Sequence, residues 1–326
     1  MKYIVIALML SIAALPVSPV SAQQFAMSIT PPLLEITIKP GKSVLIAYTV
    51  SNVGDPAIMS ADVRPFKPTG ILGSLIQSDT FEGPIRFNLD NSNIGLGKPF
   101  FLKSKEGQQL LLKIRVPEGT PEGDYYYTFY VQNETGRPLE GVTASLNQAR
   151  IGGNILVTVT NSGTLETRGN IGTFTVFPTL KLGLKAALFE STDPVPVQLI
   201  LQNTGRNFIK PEGIITLQGG FGEKANFTLV PQNILAKSSR LAVASTSGSL
   251  VRFKEPTTLV LSGFYVGKYT LTADVIFSGS QKPVQATLTF YALPFKLLLA
   301  SGVALAIGLV IIAQFKRKDD DTSDLP

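Results

Sequence analysis

Catalysis has few residue types to draw on in this 326-residue chain, which contains no histidine and no cysteine. Histidine is the commonest general base and metal ligand, and cysteine supplies thiolate ligands and covalent nucleophiles. Disulfides are excluded too. Ser-x-x-Lys, Gly-x-Ser-x-Gly and Gly-x-x-x-x-Gly-Lys patterns are absent. Carboxylates remain, and a pair of them could hydrolyse a glycan if the fold brought them together. Glu118, Glu122 and Asp124 crowd a single turn, Pro117 to Asp124, where capping is the expectation. Asp90-Asn91-Ser92-Asn93-Ile94-Gly95 begins like a calcium loop, but Ile94 and Phe101 occupy positions that need oxygen ligands. Asp90, Asn91 and Asn93 are therefore candidate binding residues at a polar loop tip, with no metal and no cofactor expected.

Aromatic residues form the other candidate. Tyr125-Tyr126-Tyr127-Thr128-Phe129-Tyr130 reads as a strand, and strand alternation sends Tyr125, Tyr127 and Phe129 to one face, with Tyr126 and Tyr130 on the other. The larger set is expected in the core. Tyr126 and Tyr130 then either pack on a neighbouring domain or form an exposed stacking platform for a sugar or a partner strand. The long segment Pro65 to Pro99, rich in Gly, Ser and Asn, competes for the recognition role, with a short hairpin expected through Pro84 to Leu89.

The elements that position these residues are strands, with no sustained helical period before residue 293. Leu34, Ile36 and Ile38 alternate with Glu35, Thr37 and Lys39, and Pro40-Gly41 turns the chain. Val44, Ile46, Tyr48 and Val50 then lead to Asn52 and Gly54; much later Val195, Val197, Leu199 and Leu201 lead to Asn203 and Gly205. Gly267-Lys268-Tyr269 likewise echoes Gly123-Asp124-Tyr125. The repeat predicts an all-β chain of two tandem antiparallel sandwiches, 23–162 and 163–292, hinged near Asn161-Ser162-Gly163.

Lys2, the apolar run Tyr3 to Ala14 and Val20-Ser21-Ala22 predict a cleaved secretion signal over 1–22. Leu297 to Phe315 is uncharged, and at ~1.5 Å per residue it spans about 28 Å, enough for a bilayer core. A transmembrane helix is expected over 293–315. Lys316-Arg317-Lys318 places the tail, 316–326, in the cytoplasm and both sandwiches outside. The formal net charge of +6 suits anionic wall polymers or lipid headgroups, or, since the basic residues are scattered, ordinary solubility. Asn133-Glu134-Thr135 and Asn226-Phe227-Thr228 fit the glycosylation pattern.

Several stretches carry a resemblance: ITPPLLEITIKPGKSVLIAYTVSNVGD, GPIRFNLDN, IRVPEGTPEGDYYYTFYV and RIGGNILVTV, then NTGRNFIKPEGIITL and TFYALPFKLLL. In this order they resemble bacterial membrane-anchored surface proteins with a WxL-interacting-type N-terminal Ig-like domain, a second Ig-like domain and one C-terminal span. The resemblance implies a non-enzymatic surface protein that binds cell-wall polymer or partner surface proteins, without nucleic acid. An exposed sheet edge that accepts a partner's strand, as in pilus chaperones, is the alternative.

Overall fold

The computed structural model describes residues 26–134, 149–178, 187–245, 253–278 and 282–322. The signal expected at 1–22 lies outside them, as does Thr135 of the first glycosylation-type triplet.

The first ten strands are β1 (Met27–Thr30), β2 (Leu33–Ile38), β3 (Ser43–Asn52), β4 (Ala57–Thr69), β5 (Ser74–Gln77), β6 (Arg86–Leu89), β7 (Pro99–Leu102), β8 (Glu106–Arg115), β9 (Gly123–Asn133) and β10 (Arg150–Val159). One sheet runs β1-β3-β8-β6; the other runs β2-β10-β9-β4-β5, with β7 also on β4. Alternation decides which residues meet between the sheets. On β3, Tyr48 and Val50 are buried and Val44 and Ile46 half-buried, while Leu45, Ala47 and Thr49 face out. They pack against Met59, Leu112, Phe129 and Val157, with the Tyr48 and Phe129 rings 4.8 Å apart.

The next ten strands are β11 (Gly169–Val176), β12 (Ala187–Glu190), β13 (Val195–Asn203), β14 (Glu212–Gly219), β15 (Lys224–Val230), β16 (Ser239–Leu241), β17 (Val243–Ala244), β18 (Leu259–Leu261), β19 (Gly267–Ile276) and β20 (Val284–Leu293). β11, β13, β16 and β18 form a four-stranded sheet, and β12-β20-β19-β14-β15-β17 a six-stranded one. Their core is separate and includes Val197, Leu199, Leu217, Leu271 and Phe290. A helix, α1 (Phe295–Thr322), follows β20. Its stretch Phe295–Ala313 has a mean hydropathy of 2.4, lies entirely unburied and is long and apolar enough to cross a membrane.

Both sandwiches start by the same path. β1 pairs antiparallel with β3, then the chain crosses and β2 pairs parallel with β10. In the second, β11 pairs antiparallel with β13, and β12 pairs parallel with β20. All other pairings among the described residues are antiparallel.

The recurring Asn-x-Gly has a physical reason. Asn52 is 1% exposed; its Nδ2 donates to the carbonyls of Asp55 and Lys103, and its Oδ1 accepts from Gly54 N. Asn203, 2% exposed, donates to Asn207 and Ile234 carbonyls and accepts from Gly205 N. Each amide satisfies backbone groups that would otherwise be orphaned where a strand leaves its ladder. Gly205 is required by contact: a Cβ there would sit 2.4 Å from the Glu166 carbonyl oxygen.

The 65–99 segment departs from expectation. β4 continues to Thr69, and β5 folds back on its end. No hairpin runs through Pro84 to Leu89. Instead β6 joins the opposite sheet beside β8. Phe81 and Phe87 pack on Tyr127, with centroids 5.8 and 4.7 Å away. Much of this segment is thereby fixed to the core.

Candidate binding groove between the sandwiches

Alternation on β9 places the aromatic residues as follows. Tyr127 and Phe129 are buried at 2% and 0% exposure, and Tyr125 is half-buried with its hydroxyl donating to the Pro121 carbonyl. The opposite face corrects the exposed platform. Tyr130 is only 5% exposed, with its ring under the Arg150 guanidinium (3.3 Å to the centroid) and its hydroxyl donating to Asp62. The guanidinium covers one ring face, and at 5% exposure the ring offers a sugar no open stacking surface.

Tyr126 faces the second sandwich. It is stacked on Phe66 at 5.7 Å and joins a small apolar cluster of Phe66, Leu156, Leu235 and Phe208. Its hydroxyl donates to Asp124 Oδ2 (3.0 Å) and accepts from Ala236 N (2.8 Å). Burial, with Asp124 beside it, pushes this phenol's pKa up. Asp124 is the hub of the joint. Its Oδ1 accepts from Thr158 and from Asn207 Nδ2, both at 2.8 Å, and its Oδ2 also accepts from Phe208 N. One carboxylate so binds β9, β10 and a loop of the second sandwich. Glu122 is engaged as well, accepting from the Asn161 backbone N–H and side chain, which hold its pKa below the usual carboxylate range.

Beside this joint lies a groove. The end of β4 and β5 arch over the outer face of the six-stranded sheet, and the tip reaches the second sandwich, where Leu241 N donates to Ile71 O (2.7 Å). Beneath the arch is a cavity of about 290 Å3, lined by Leu33, Phe66, Leu75 and Leu156 on one side and Asn233, Leu235 and Arg240 on the other. It continues through Leu75 and Asn154 into an open trough of about 410 Å3 bordered by Gln77, Thr128, Gly152 and Arg150. Among the described residues no acidic side chain lines either part.

Arg240 is the charge in the cavity beneath the arch, while Arg150 in the trough lies over the Tyr130 ring. The Arg240 Nη1 donates to the Asn233 carbonyl (2.7 Å), and among the described residues no carboxylate pairs with it. Burial pushes the Arg240 pKa down, because a half-desolvated cation without a counter-ion is disfavoured. Gly73, at φ +77°, makes room for it, since a Cβ there would lie 2.8 Å from the guanidinium. An incoming anion would restore the missing partner. β5 adds a second feature: all four of its residues are exposed, and among the described residues it pairs with β4 alone, leaving its other edge open above the trough.

The loop-tip candidates lie elsewhere. Asn91 holds β6 to β8, its Nδ2 donating to the Gln109 carbonyl and its Oδ1 accepting from Leu111 N. Asp90 and Asn93 are exposed on the same loop. Among the described residues no cluster of acidic side chains could hold a metal ion. Arg240 escaped sequence reasoning, because its surroundings come from segments more than a hundred residues apart.

No family model and no curated protein matches the chain. Solved structures similar to it include the class 5 fimbriae chaperone CfaA, at 12% identity over 80% of this chain and 98% of that one, TM-score 0.36. The E. coli chaperone DraB is 14% identical over 81% and 98%, TM-score 0.34. The Salmonella enterica SafA pilin in complex with the SafB chaperone matches at 11% identity over 82% and 99%, TM-score 0.34.

Proposed function

We propose that the chain is a non-catalytic, membrane-anchored surface protein that holds an extended segment of a partner protein in the groove between its sandwiches. The observation that carries this reading is Arg240, a half-buried cation in a groove where, among the described residues, it has no counter-ion and no acid lines the walls. Apolar walls suit alternate side chains of a strand, and Asn154, Asn233 and Gln77 can meet its amides. The β5 edge offers backbone pairing, the usual chemistry of strand addition. A carboxylate on the ligand, at its end or on a side chain, would complete Arg240. The apolar stretch Phe295–Ala313 of α1 supports anchoring, and Lys316-Arg317-Lys318 beyond that stretch supports a cytoplasmic tail.

The test uses the full chain in detergent and short fluorescent peptides of alternating valine and threonine, ending in a free carboxylate or an amide. The carboxylate form should bind more tightly, and Arg240→Gln should erase the difference without lowering the melting temperature. Equal binding of both peptides, or capture of purified wall polymer in their place, would overturn the reading. Topology is checked separately. Protease added to intact cells should digest both sandwiches and leave a fragment beginning near Leu297; a digested tail beneath intact sandwiches would reverse the orientation.

A further inference from the structure

Two phenylalanines stand out of the second sandwich at the end from which α1 leaves. Phe221 is 81% exposed and Phe264 65%. Register fixes their position: Gly219 at the end of β14 pairs with Tyr269, and Gly267 at the start of β19 pairs with Ala292, three residues before α1. β12 finishes there too, Glu190 opposite Leu293, as does β18, Leu261 opposite Val195.

The exposure is built rather than frayed. The β14–β15 hairpin is closed by Gly219 N donating to Glu223 O, and the Glu223 carboxylate accepts from Phe221 N (3.1 Å) and from the Tyr269 hydroxyl (3.1 Å). In the other loop Tyr265 turns inward, edge-on to Tyr269, and its backbone N–H donates to Ser191 O. Phe264 is left pointing out. The first turn of α1 is tied to the neighbouring loop, with Lys296 N donating to Glu190 and Lys296 Nζ paired with Asp193 at 2.9 Å.

Charge sorts in the same direction. Glu190, Asp193 and Glu223 are each occupied by these internal contacts, while Lys224 and Lys268 are exposed and make no ion pair among the described residues. We propose that this end of the second sandwich is a lipid-contact surface, with Phe221 and Phe264 seated in the bilayer interface and Lys224 and Lys268 facing anionic headgroups. The proposal rests on the reading that α1 spans a membrane, because it is the adjoining apolar helix that makes a bilayer the occupant. Aromatic rings favour the interfacial zone, and lysines near an anionic surface add to the attraction.

The chain has no tryptophan, so single reporters can be introduced cleanly. Full-length Phe221→Trp, Phe264→Trp, Leu305→Trp and Ile76→Trp would each be reconstituted in vesicles of phosphatidylcholine and phosphatidylglycerol, with and without brominated acyl chains. Leu305 lies midway along the apolar helix, and Ile76 is exposed on the first sandwich at 61%. Phe221→Trp and Phe264→Trp should show blue-shifted emission and loss of intensity with the brominated lipid, while Ile76→Trp shows neither. Quenching of Leu305→Trp alone would overturn the lipid contact and leave the anchor standing. No quenching of Leu305→Trp would remove the anchor and the contact together.

Discussion

Asn52 and Asn203 show how much a single side chain can set. Each amide serves three backbone partners at less than 3% exposure. Replacing either by alanine should cost about 1–3 kcal/mol per orphaned group, read by urea denaturation; an unchanged midpoint would remove their structural role. Tyr127 makes a second prediction. Burial pushes its pKa up to about 12 from an ordinary 10.0, so the folded state favours the neutral phenol. Its contribution is complete below pH 10 and is lost as pH rises toward 12, an effect of about 2–3 kcal/mol. Melting temperature should therefore fall across that window, and Tyr127→Phe should flatten the fall. An equal slope in both proteins would show that the phenol does not ionise on unfolding.

At the scale of elements, the arch formed by β4 and β5 is the least ordinary part of the first sandwich. Gly70 and Gly73 near its tip have positive φ, +60° and +77°, but only Gly73 lies against Arg240. Alanine at either position meets a backbone cost of about 1–2 kcal/mol. Gly73→Ala should in addition displace the guanidinium and weaken capture of the carboxylate peptide, whereas Gly70→Ala should leave binding intact. Matching losses in the two variants would detach the arch from the site. This element also marks where sequence reading ended. Alternation placed β3, β8 and β13, because each has one wet face and one dry one. It placed Tyr127 and Phe129 in the core for the same reason. It could not place β6, whose pairing with β8 is a long-range choice, nor see that Tyr130 would be covered by Arg150 from the next strand. Tyr126 was legible only as a residue needing a neighbour, and the neighbour proved to be the second sandwich.

For the whole molecule, the joint decides whether two cores behave as two domains. Asp124 accepts four hydrogen bonds, two of them from the second sandwich, beside the apolar contact of Phe66, Leu156 and Leu235. Removing a carboxylate that satisfies so many donors leaves them unpaired in a desolvated place. Calorimetry of the full chain should show one transition, and Asp124→Ala should split it in two. Two transitions already present in the unmodified protein would mean that the joint couples the cores weakly.

The paired parallel strands have a mechanical meaning. Tension applied to the first sandwich travels along the chain to α1 by way of β12 and β20. Since those two run the same way, the pull drags them past each other lengthwise, and the register from Ala187↔Phe290 to Glu190↔Leu293 is loaded all at once. Antiparallel neighbours at the same places would peel apart bond by bond. β2 and β10 carry the longer register, from Asn154↔Leu33 to Val159↔Ile38. Under force the sandwich nearest α1 should yield first, and because Asn233, Leu235 and Arg240 belong to it, the groove would come apart with it and release whatever it holds.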